Sequence, residues 1–194
     1  MSRKTYHYPP DKPPNQPYCH RLVYTITETA LGPMLIAQTP QGICALAWDD
    51  EPEVLKNWLT HQFPEMSLEA DETAFIPAIK TIMAYLNQPG NSLLIPKLDI
   101  YGTVFQKQVW KALQSIPAGQ TRTYGQIAAQ IGKPTAVRAV ANACARNKLA
   151  LFIPCHRVLG QHNQLTGFRW GIHRKKALLT REAQQTAEIC AYLF

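Results

Sequence analysis

A cysteine followed by two basic residues is the first candidate for chemistry in this chain. Cys155, His156 and Arg157 come directly after an apolar run at 149–153, which is expected to be buried. Because nearby basic groups favour a thiolate over a thiol, this setting predicts a Cys155 pKa lowered from about 8.5 toward neutrality. Free cysteines are, however, among the most buried residue types, and most of them only pack. The pattern alone therefore leaves an inert Cys155 open.

His156 is the candidate base for this cysteine, and such a base needs an acid that orients it. Adjacent residues do not face each other on a helix, so we expect His156 to act on the sulfur through a bridging water. Glu182 is the candidate acid, because it lies on one stripe of a helix predicted over 171–185. The other residues of that stripe are Ile172, Leu179 and Ala183. The alternative is that Glu182 lies at the edge of the stripe and reaches solvent beside Arg181.

A mostly helical C-terminal part must position these residues. An apolar face predicts a helix over 104–115. Two short helices follow over 123–130 and 136–145, separated by Gly132-Lys133-Pro134. Two helices joined by so short a glycine-containing turn form a helix-turn-helix, which is typical of DNA-binding proteins. Helical hairpins without a DNA partner are also common.

The second helix of this pair has a distinctive outer face. Its helical spacing predicts four inward residues, namely Val137, Val140, Ala141 and Cys144. That leaves three residues facing out together, namely Arg138, Asn142 and Ala145. Small outer residues let a helix approach a narrow groove closely, although alanine is also the best helix former.

The N-terminal half is predicted to hold a small sheet and two helices. Three short β-rich runs indicate an antiparallel meander, and they span 21–28, 33–39 and 42–48. Two helical patterns follow, over 51–62 and 72–87.

Proline and turn residues mark the boundaries along the chain. Five prolines in the first twenty residues predict an extended arm over 1–20. Turn residues at 89–92 end the first domain. We therefore expect one domain over 21–95 and a second over 96–194.

The composition is that of a folded protein, with 46% hydrophobic and 17% charged residues. No apolar run reaches the roughly 18 residues of a membrane span, and the N-terminus lacks the apolar core of a signal peptide, so we expect a cytoplasmic protein. Five widely spaced cysteines without a CxxC pair predict free thiols. A metal site of Cys19 and His20 with His7 or His61 fits no standard spacing, so no metal is expected.

Charge is distributed unevenly along the chain. Residues 1–100 carry 7 Lys/Arg against 11 Asp/Glu, a net charge of −4, whereas residues 101–194 carry 13 against 2, a net charge of +11. A basic half of this kind is typical of a protein that binds a polyanion such as DNA. A merely soluble basic surface would explain the total of +7, but less naturally its segregation.

These residues carry a resemblance to a known family. The motif Ile153-Pro154-Cys155-His156-Arg157-Val158 resembles the active-site motif of the O6-alkylguanine-DNA alkyltransferases, also called methylated-DNA–protein-cysteine methyltransferases. The run from Val137 to Cys155 is especially similar to the Ada-like branch of that family. The surroundings match over residues 98–183, and residues 22–95 resemble the family's N-terminal domain more weakly.

The resemblance implies an α+β fold and a DNA repair activity. The N-terminal domain would be RNase H-like with a small antiparallel sheet, and the C-terminal domain helical, with a helix-turn-helix that enters the minor groove of double-stranded DNA. An alkyl group would move once and irreversibly from O6 of guanine, and also from O4-methylthymine, to Cys155. The damaged nucleotide would first be flipped out of the stack. No cofactor, no metal and no membrane are implied, and a monomer is expected.

The same resemblance implies roles for the catalytic residues. Cys155 would be the alkyl acceptor, and His156 the base that acts through water. Glu182 would orient His156, and Asn147 would brace the turn that carries the active site.

Roles in DNA binding are implied as well. Tyr124 would crowd the 3′ phosphate of the target so that the nucleotide rotates out, while Arg138 would fill the space left in the stack. Further DNA contacts are expected from Lys133, Thr135 and Asn142. The pocket is expected to be lined by Val158, Arg169 and Trp170. Several family members have glycine or another small residue at the position of Trp170, so the indole is expected to narrow the pocket.

Three other functions compete with this one. A non-repairing alkyltransferase-like damage sensor would lack the nucleophilic cysteine, so Cys155 argues against it. A sequence-specific regulator would need polar residues that read base edges, where this chain offers mostly alanine. A cysteine hydrolase using Cys155 and His156 would turn over many times.

Overall fold

The computed structural model describes residues 21–192, with the side chains of Ser92 and of 188–192 left out. The predicted proline-rich arm over 1–20 lies outside the described residues. Within them, no helix is both long and apolar enough to span a bilayer.

A four-stranded sheet forms the N-terminal part. Strands β1 (Arg21–Thr27), β2 (Met34–Thr39) and β3 (Gly42–Trp48) pair antiparallel in sequence order, which confirms the predicted meander. A fourth strand, β4 (Ser67–Ala70), pairs parallel with β1, giving the order β3-β2-β1-β4. The sequence did not predict β4.

Two helices accompany this sheet. Helix α1 (Pro52–Gln62) buries Leu55, Trp58 and Leu59 and packs against β2 and β3, because these apolar residues recur at helical spacing. A 3-10 turn at Thr73–Phe75 leads into α2 (Ile76–Asn87), which buries Ile82, Tyr85 and Leu86. Both helices fall where the sequence predicted them.

Four helices build the C-terminal part: α3 (Val104–Gln114), α4 (Tyr124–Gln130), α5 (Val137–Ala145) and α6 (Ile172–Tyr192). Helices α3 and α4 each begin with a capping box, Thr103 with Gln106 and Thr123 with Gln126. Helices α4 and α5 form the predicted helix-turn-helix. Gly132 in its turn has a φ of 71°, a conformation that glycine adopts readily.

The outer face of α5 is as predicted, and its inner face is not. Arg138, Asn142 and Ala145 are exposed, which confirms the prediction. Val137, predicted to face inward, is 38% exposed, whereas Val140, Ala143 and Cys144 are buried. Val137 lies at the first turn of α5, whereas Ala143 lies on the face of α5 that packs against α3. The indole N–H of Trp110 on α3 donates to the Ala143 carbonyl at 2.9 Å.

The two parts share one continuous core. The outer edge of β3 is covered by segments from further along the chain. Leu46 donates its N–H to the Lys148 carbonyl at 2.8 Å and accepts from the N–H of Ala150 at 3.1 Å. The segment just before Cys155 is therefore hydrogen-bonded to the edge of the N-terminal sheet. A short parallel pair, β5 (Arg122–Thr123) with β6 (Val158–Leu159), ties the start of α4 to the residues after Cys155.

Candidate active site

Cys155 opens a buried 3-10 turn, Cys155–Arg157. Its side chain is 6% exposed. The loop before it is constrained, because Leu151 has a φ of 75°, where a residue with a branched apolar side chain is rarely found. Hydrogen bonds on both sides hold this loop, among them the Ile153 N–H to the Leu149 carbonyl at 2.9 Å.

Asn147 connects this loop to the sulfur. Its side-chain amide donates to the Ile153 carbonyl at 2.8 Å and to Sγ of Cys155 at 3.2 Å. Its carbonyl oxygen accepts from the Leu149 N–H at 2.9 Å. The side chain is 1% exposed, so one buried amide fixes both ends of the loop and contacts the candidate nucleophile.

The predicted lowering of the Cys155 pKa is wrong. Burial raises the pKa of the thiol, and this outweighs the lowering effects of the Asn147 hydrogen bond and the positive charge of Lys175. The basic pair that motivated the prediction is directed elsewhere, because both His156 and Arg157 bind Glu182. At rest, Cys155 is a buried thiol.

Glu182 is buried and holds both of these basic side chains. It is 2% exposed, which decides against the alternative of a solvent-facing carboxylate. His156 Nε2 donates to Oε1 at 2.8 Å, and Arg157 donates through Nε at 3.0 Å to Oε2 and through Nη2 at 2.8 Å to Oε1. The N–H of Gly119 adds a further bond to Oε2 at 3.2 Å. Burial alone would raise the pKa of Glu182, but His156 and Arg157 lower it to about 2.

The protonation state of His156 follows from this pairing. Burial lowers the His156 pKa, against the raising effect of Glu182, so the imidazole is neutral. An ionised carboxylate can only accept, so the proton of the neutral ring lies on Nε2. Nδ1 is then a bare acceptor, and it is buried without a hydrogen-bond partner among the residues that the structure describes. This is the state that a general base requires.

Lys175 is a fully buried lysine that the sequence reasoning missed. Its Nζ donates to the carbonyls of Val158 at 2.6 Å, Thr166 at 2.7 Å and Gly167 at 3.3 Å. It thereby closes the loop that follows the active-site turn. Burial lowers the pKa of Lys175, and the neighbouring thiols of Cys155 and Cys144 oppose that shift.

The buried face of α6 differs from the predicted one, and the difference explains why Lys175 was not predicted. The buried residues are Arg174, Lys175, Leu178 and Glu182, whereas Ile172 is 41% exposed and Ala183 is exposed. Reading only apolar residues as inward could not find two buried cations. Arg157 was missed as the partner of Glu182 for the same reason. The spacing of Lys175, Leu178 and Glu182 on one helix face was the available signal.

Tyr124 and Val158 lie close to the active-site turn. Tyr124, half-buried at the first turn of α4, hydrogen-bonds the Thr166 side chain. Burial, with the nearby thiols of Cys144 and Cys155, raises its pKa to about 12. Val158 is fully buried in β6, directly after the turn. Both residues are therefore brought to the active-site turn.

The remaining predicted DNA contacts lie on the outer surface of the helix-turn-helix. Lys133 and Thr135 are exposed in the turn between α4 and α5, and Arg138 and Asn142 are exposed on α5. The Lys133 ammonium lies 5.1 Å from the centre of the Phe105 ring. These side chains are free to meet a ligand, and their roles stay predictions.

Trp170 and Arg169 lie where the two parts of the chain meet. Trp170 is 5% exposed and packs edge-to-face on Trp58 of α1, with ring centres 5.0 Å apart. The exposed Arg169 guanidinium lies over both indoles, 5.6 Å from the Trp58 ring and 5.2 Å from the Trp170 ring. These contacts fix Trp170 against α1, and its place as a pocket wall stays a prediction.

A cavity in the described part of the chain lies away from Cys155. It has a volume of about 330 Å³ and lies between the end of α2 and α6, with Met83, Leu86, Arg181 and Gln185 in its lining. None of the candidate site residues lines it. It therefore has no part in the chemistry at Cys155.

Free thiols and no metal site were further expectations. Cys144 and Cys155 are free cysteines, as predicted. Over residues 21–192, no group of three His, Cys, Asp or Glu side chains is placed to hold a metal ion. Cys19, His20 and His7 lie outside the described range.

Two family models of known proteins match the N-terminal and the C-terminal part of the chain separately. Residues 22–99 match the family model of the 6-O-methylguanine DNA methyltransferase ribonuclease-like domain, and residues 104–184 match that of the 6-O-methylguanine DNA methyltransferase DNA binding domain. The α+β fold expected from the sequence is thereby confirmed.

Individual relatives agree with these matches. The chain is 47% identical over 161 residues to the bifunctional transcriptional activator/DNA repair enzyme Ada of Escherichia coli, covering 83% of this chain and 45% of that relative. The inducible methylated-DNA–protein-cysteine methyltransferase of Bacillus subtilis is 38% identical, with 79% of this chain and 86% of the relative covered. The chain thus spans less than half the length of the first relative.

A solved structure gives the same result in three dimensions. The crystal structure of Mycobacterium tuberculosis OGT in complex with DNA superposes with a TM-score of 0.71 at 36% identity, covering 84% of this chain and 93% of that one. Both domain models, the identity to these relatives and this superposition agree with the motif around Cys155. The chain belongs to the 6-O-methylguanine DNA methyltransferase family, the methylated-DNA–protein-cysteine methyltransferases.

Proposed function

We propose that this chain repairs DNA by direct reversal, moving an alkyl group from O6 of guanine to Sγ of Cys155. The observation that carries the proposal is a buried thiol beside a neutral imidazole that a carboxylate holds in one tautomer. The pairing of β5 with β6 ties the residues after this turn to the start of a helix-turn-helix whose outer face exposes Lys133 and Arg138. The relatives named as methylated-DNA–protein-cysteine methyltransferases support the same reaction.

The chemistry assigns a role to each buried group. Cys155 loses its proton to Nδ1 of His156 through a bridging water, and Glu182 stabilises the imidazolium that forms. The thiolate attacks the alkyl carbon, so the S–C bond forms as the bond from O6 to carbon breaks. The departing guanine anion takes up the proton that His156 received from Cys155, which restores guanine and the neutral imidazole. The thioether has no leaving group, so each molecule acts once.

Asn147 and Lys175 prepare the nucleophile without reacting. The Asn147 amide donates to Sγ, and the positive charge of Lys175 lowers the Cys155 pKa. Both effects favour the thiolate once the proton has moved. They act on a site that holds the thiol form at rest.

The proposed partner is double-stranded DNA, bound through the minor groove by a single copy of the chain. Guanine O6 is hidden inside a duplex, so the nucleotide must be rotated out at a cost of a few kcal/mol. We assign Tyr124 to crowding the 3′ phosphate and Arg138 to filling the gap in the stack, with Lys133, Thr135 and Asn142 as further DNA contacts. O4-methylthymine is proposed as a second substrate. The solved structure of the Mycobacterium tuberculosis relative in complex with DNA supports DNA as the partner.

Intact mass after incubation with an O6-methylguanine duplex tests the proposal. The mass should rise by about 14 Da, because a methyl group replaces the thiol proton, and peptide mapping should place it on Cys155. Cys144 is the matched control, since it is also a buried free thiol and lies near Cys155. Cys144→Ala should keep the mass gain and Cys155→Ala should lose it. Tight binding without transfer would instead indicate a damage sensor, and many turnovers per molecule would indicate a hydrolase-like enzyme.

A further inference from the structure

Three cations gather at the junction of the two parts of the chain, outside the helix-turn-helix. Arg146 directly follows the last residue of α5. Lys148 lies in the next loop, and Arg169 lies shortly before α6. We call these three residues the junction cluster. None of them forms an ion pair with a carboxylate in the portion of the chain that the structure describes.

Aromatic side chains from both parts of the chain contact two of these cations. Arg169 lies over the Trp58 and Trp170 rings, and the Lys148 ammonium lies 5.8 Å from the centre of the Phe63 ring. A guanidinium that stacks on an aromatic face keeps its N–H edge available for an anion. Arg169 and Lys148 are therefore held in position before any ligand arrives.

The cations repel one another, and among the described residues no carboxylate offsets that repulsion. Burial lowers the pKa of Lys148; the Cys44 thiol opposes this shift, while Arg146 and Arg169 add to it. Burial and the charge of Arg146 likewise lower the pKa of Arg169. No carboxylate is among these influences. Like charges held together without an acid are compensated when an anion binds between them.

A buried donor at the same place lacks an acceptor. Trp58 is 9% exposed, and its indole N–H has no hydrogen-bond partner within residues 21–192. Buried polar groups are almost always satisfied, so an unpaired one indicates a missing acceptor.

The exposed face of α5 indicates which anion it is. Arg138, Asn142 and Arg146 are all exposed and follow one another at intervals of four residues, so the row of DNA contacts proposed on α5 continues into the junction cluster. We propose that the junction cluster is a second DNA contact, in which Arg146, Lys148 and Arg169 bind backbone phosphates flanking the lesion. This inference rests on the proposed DNA repair function. It gives the N-terminal part a share in DNA binding, through Trp58 and Phe63.

The salt dependence of binding tests this proposal. Each phosphate contact contributes a slope of about −0.9 to the plot of log Kobs against log salt concentration. Arg146→Gln/Lys148→Gln should therefore make the slope for an O6-methylguanine duplex shallower by about 1 to 2. Lys56→Gln/Lys80→Gln removes the same charge from exposed sites on α1 and α2 and should change the slope little. Arg146→Lys/Lys148→Arg should keep the wild-type slope, because the charges remain.

Two further readouts separate the possible outcomes. Ethylation of individual phosphates should reveal positions that block wild-type binding but no longer affect Arg146→Gln/Lys148→Gln. A slope change no larger than that of Lys56→Gln/Lys80→Gln, or an identical ethylation pattern, overturns the proposal. Methyl transfer from free O6-methylguanine to the wild-type protein is followed in parallel. This base carries no phosphate, so failure of that reaction would count against the proposed function and not against the junction cluster alone.

Discussion

At the scale of single residues, Glu182 is the group on which the site depends most. It is the only described carboxylate that His156 and Arg157 contact, and their combined effect holds its pKa at about 2. A carboxyl whose folded pKa lies below its unfolded value of 4.5 stabilises the fold above that value. The contribution is lost as pH falls toward the folded pKa.

Glu182→Gln should therefore destabilise the protein most at neutral pH. The change leaves Arg157 buried without a counter-ion, which typically costs about 3–5 kcal/mol. The difference from wild type should narrow as pH falls from about 4.5 toward 2, and urea unfolding at pH 6 and pH 3 measures it. Glu69→Gln is the control, because its pair with Arg21 is about half exposed and should contribute below about 1 kcal/mol. A difference that is independent of pH would show that Glu182 is not ionised in the fold.

Trp170 allows a test of pocket size. A methyl group needs little room beyond the flipped guanine, whereas a benzyl group needs a flat apolar slot beside the sulfur. If the indole limits that slot, Trp170→Ala should raise the ratio of O6-benzylguanine to O6-methylguanine reaction rates. Truncation should also cost about 3–5 kcal/mol of stability, so both rates must be taken on folded protein.

Trp58→Leu provides the matched control for this measurement. It removes the indole on which Trp170 packs and so reproduces the loss of stability without shortening Trp170. The rate ratio should stay near that of wild type. If Trp58→Leu and Trp170→Ala move the ratio equally, the effect comes from looser packing at the domain junction.

At the scale of elements, α5 offers the clearest prediction. Arg138 is exposed on its outer face, where a planar guanidinium can replace a flipped base in the stack. Arg138→Ala should slow repair of duplex DNA by about tenfold or more, since unstacking costs a few kcal/mol. Transfer from free O6-methylguanine should change little. Arg138→Lys keeps the charge but not the flat surface, so it should remain slow on duplex DNA. Full activity of Arg138→Lys would show that only charge matters.

The helices and strands also show which parts of the fold could be predicted from the sequence. Strands β1 to β3 and helices α1 to α6 were predictable, because alternation and helical spacing are local signals. Strand β4 was not, because its four residues are mostly exposed and gain their strand geometry only by pairing with β1. The site followed a similar division. The motif at Cys155 was visible, but the directions of His156 and Arg157 depend on α6, which lies about 25 residues further along the chain.

At the scale of the whole molecule, Arg174 links segments that are far apart in sequence. It is 3% exposed and donates to the Leu31 carbonyl at 2.7 Å, to the Trp170 carbonyl at 2.9 Å and to the Asp50 carboxylate at 2.5 Å. Asp50 itself is largely exposed. One guanidinium on α6 therefore holds two turns of the N-terminal part.

Arg174→Met should lower the free energy of unfolding by about 2–4 kcal/mol, because two buried carbonyls lose their donor. Unfolding followed by tryptophan fluorescence should still be a single transition, since both parts share a core and the edge of β3. Arg21→Met, which removes a half-exposed pair, should cost below about 1 kcal/mol. Two separate transitions in Arg174→Met would mean that Arg174 alone couples the two parts.

The burial of Cys155 also determines how long an unused molecule lasts. Under the proposed reaction each molecule is consumed by one lesion, so any stray electrophile that reached the sulfur would waste it. A thiol that is 6% exposed and whose pKa is raised by burial reacts slowly with small alkylating agents and oxidants in solution, because the thiolate is the reactive form. Only an alkylated nucleobase that enters the site, where His156 can take up the thiol proton, can react with the sulfur. The cell can therefore hold a reserve of intact acceptors through long periods without damage.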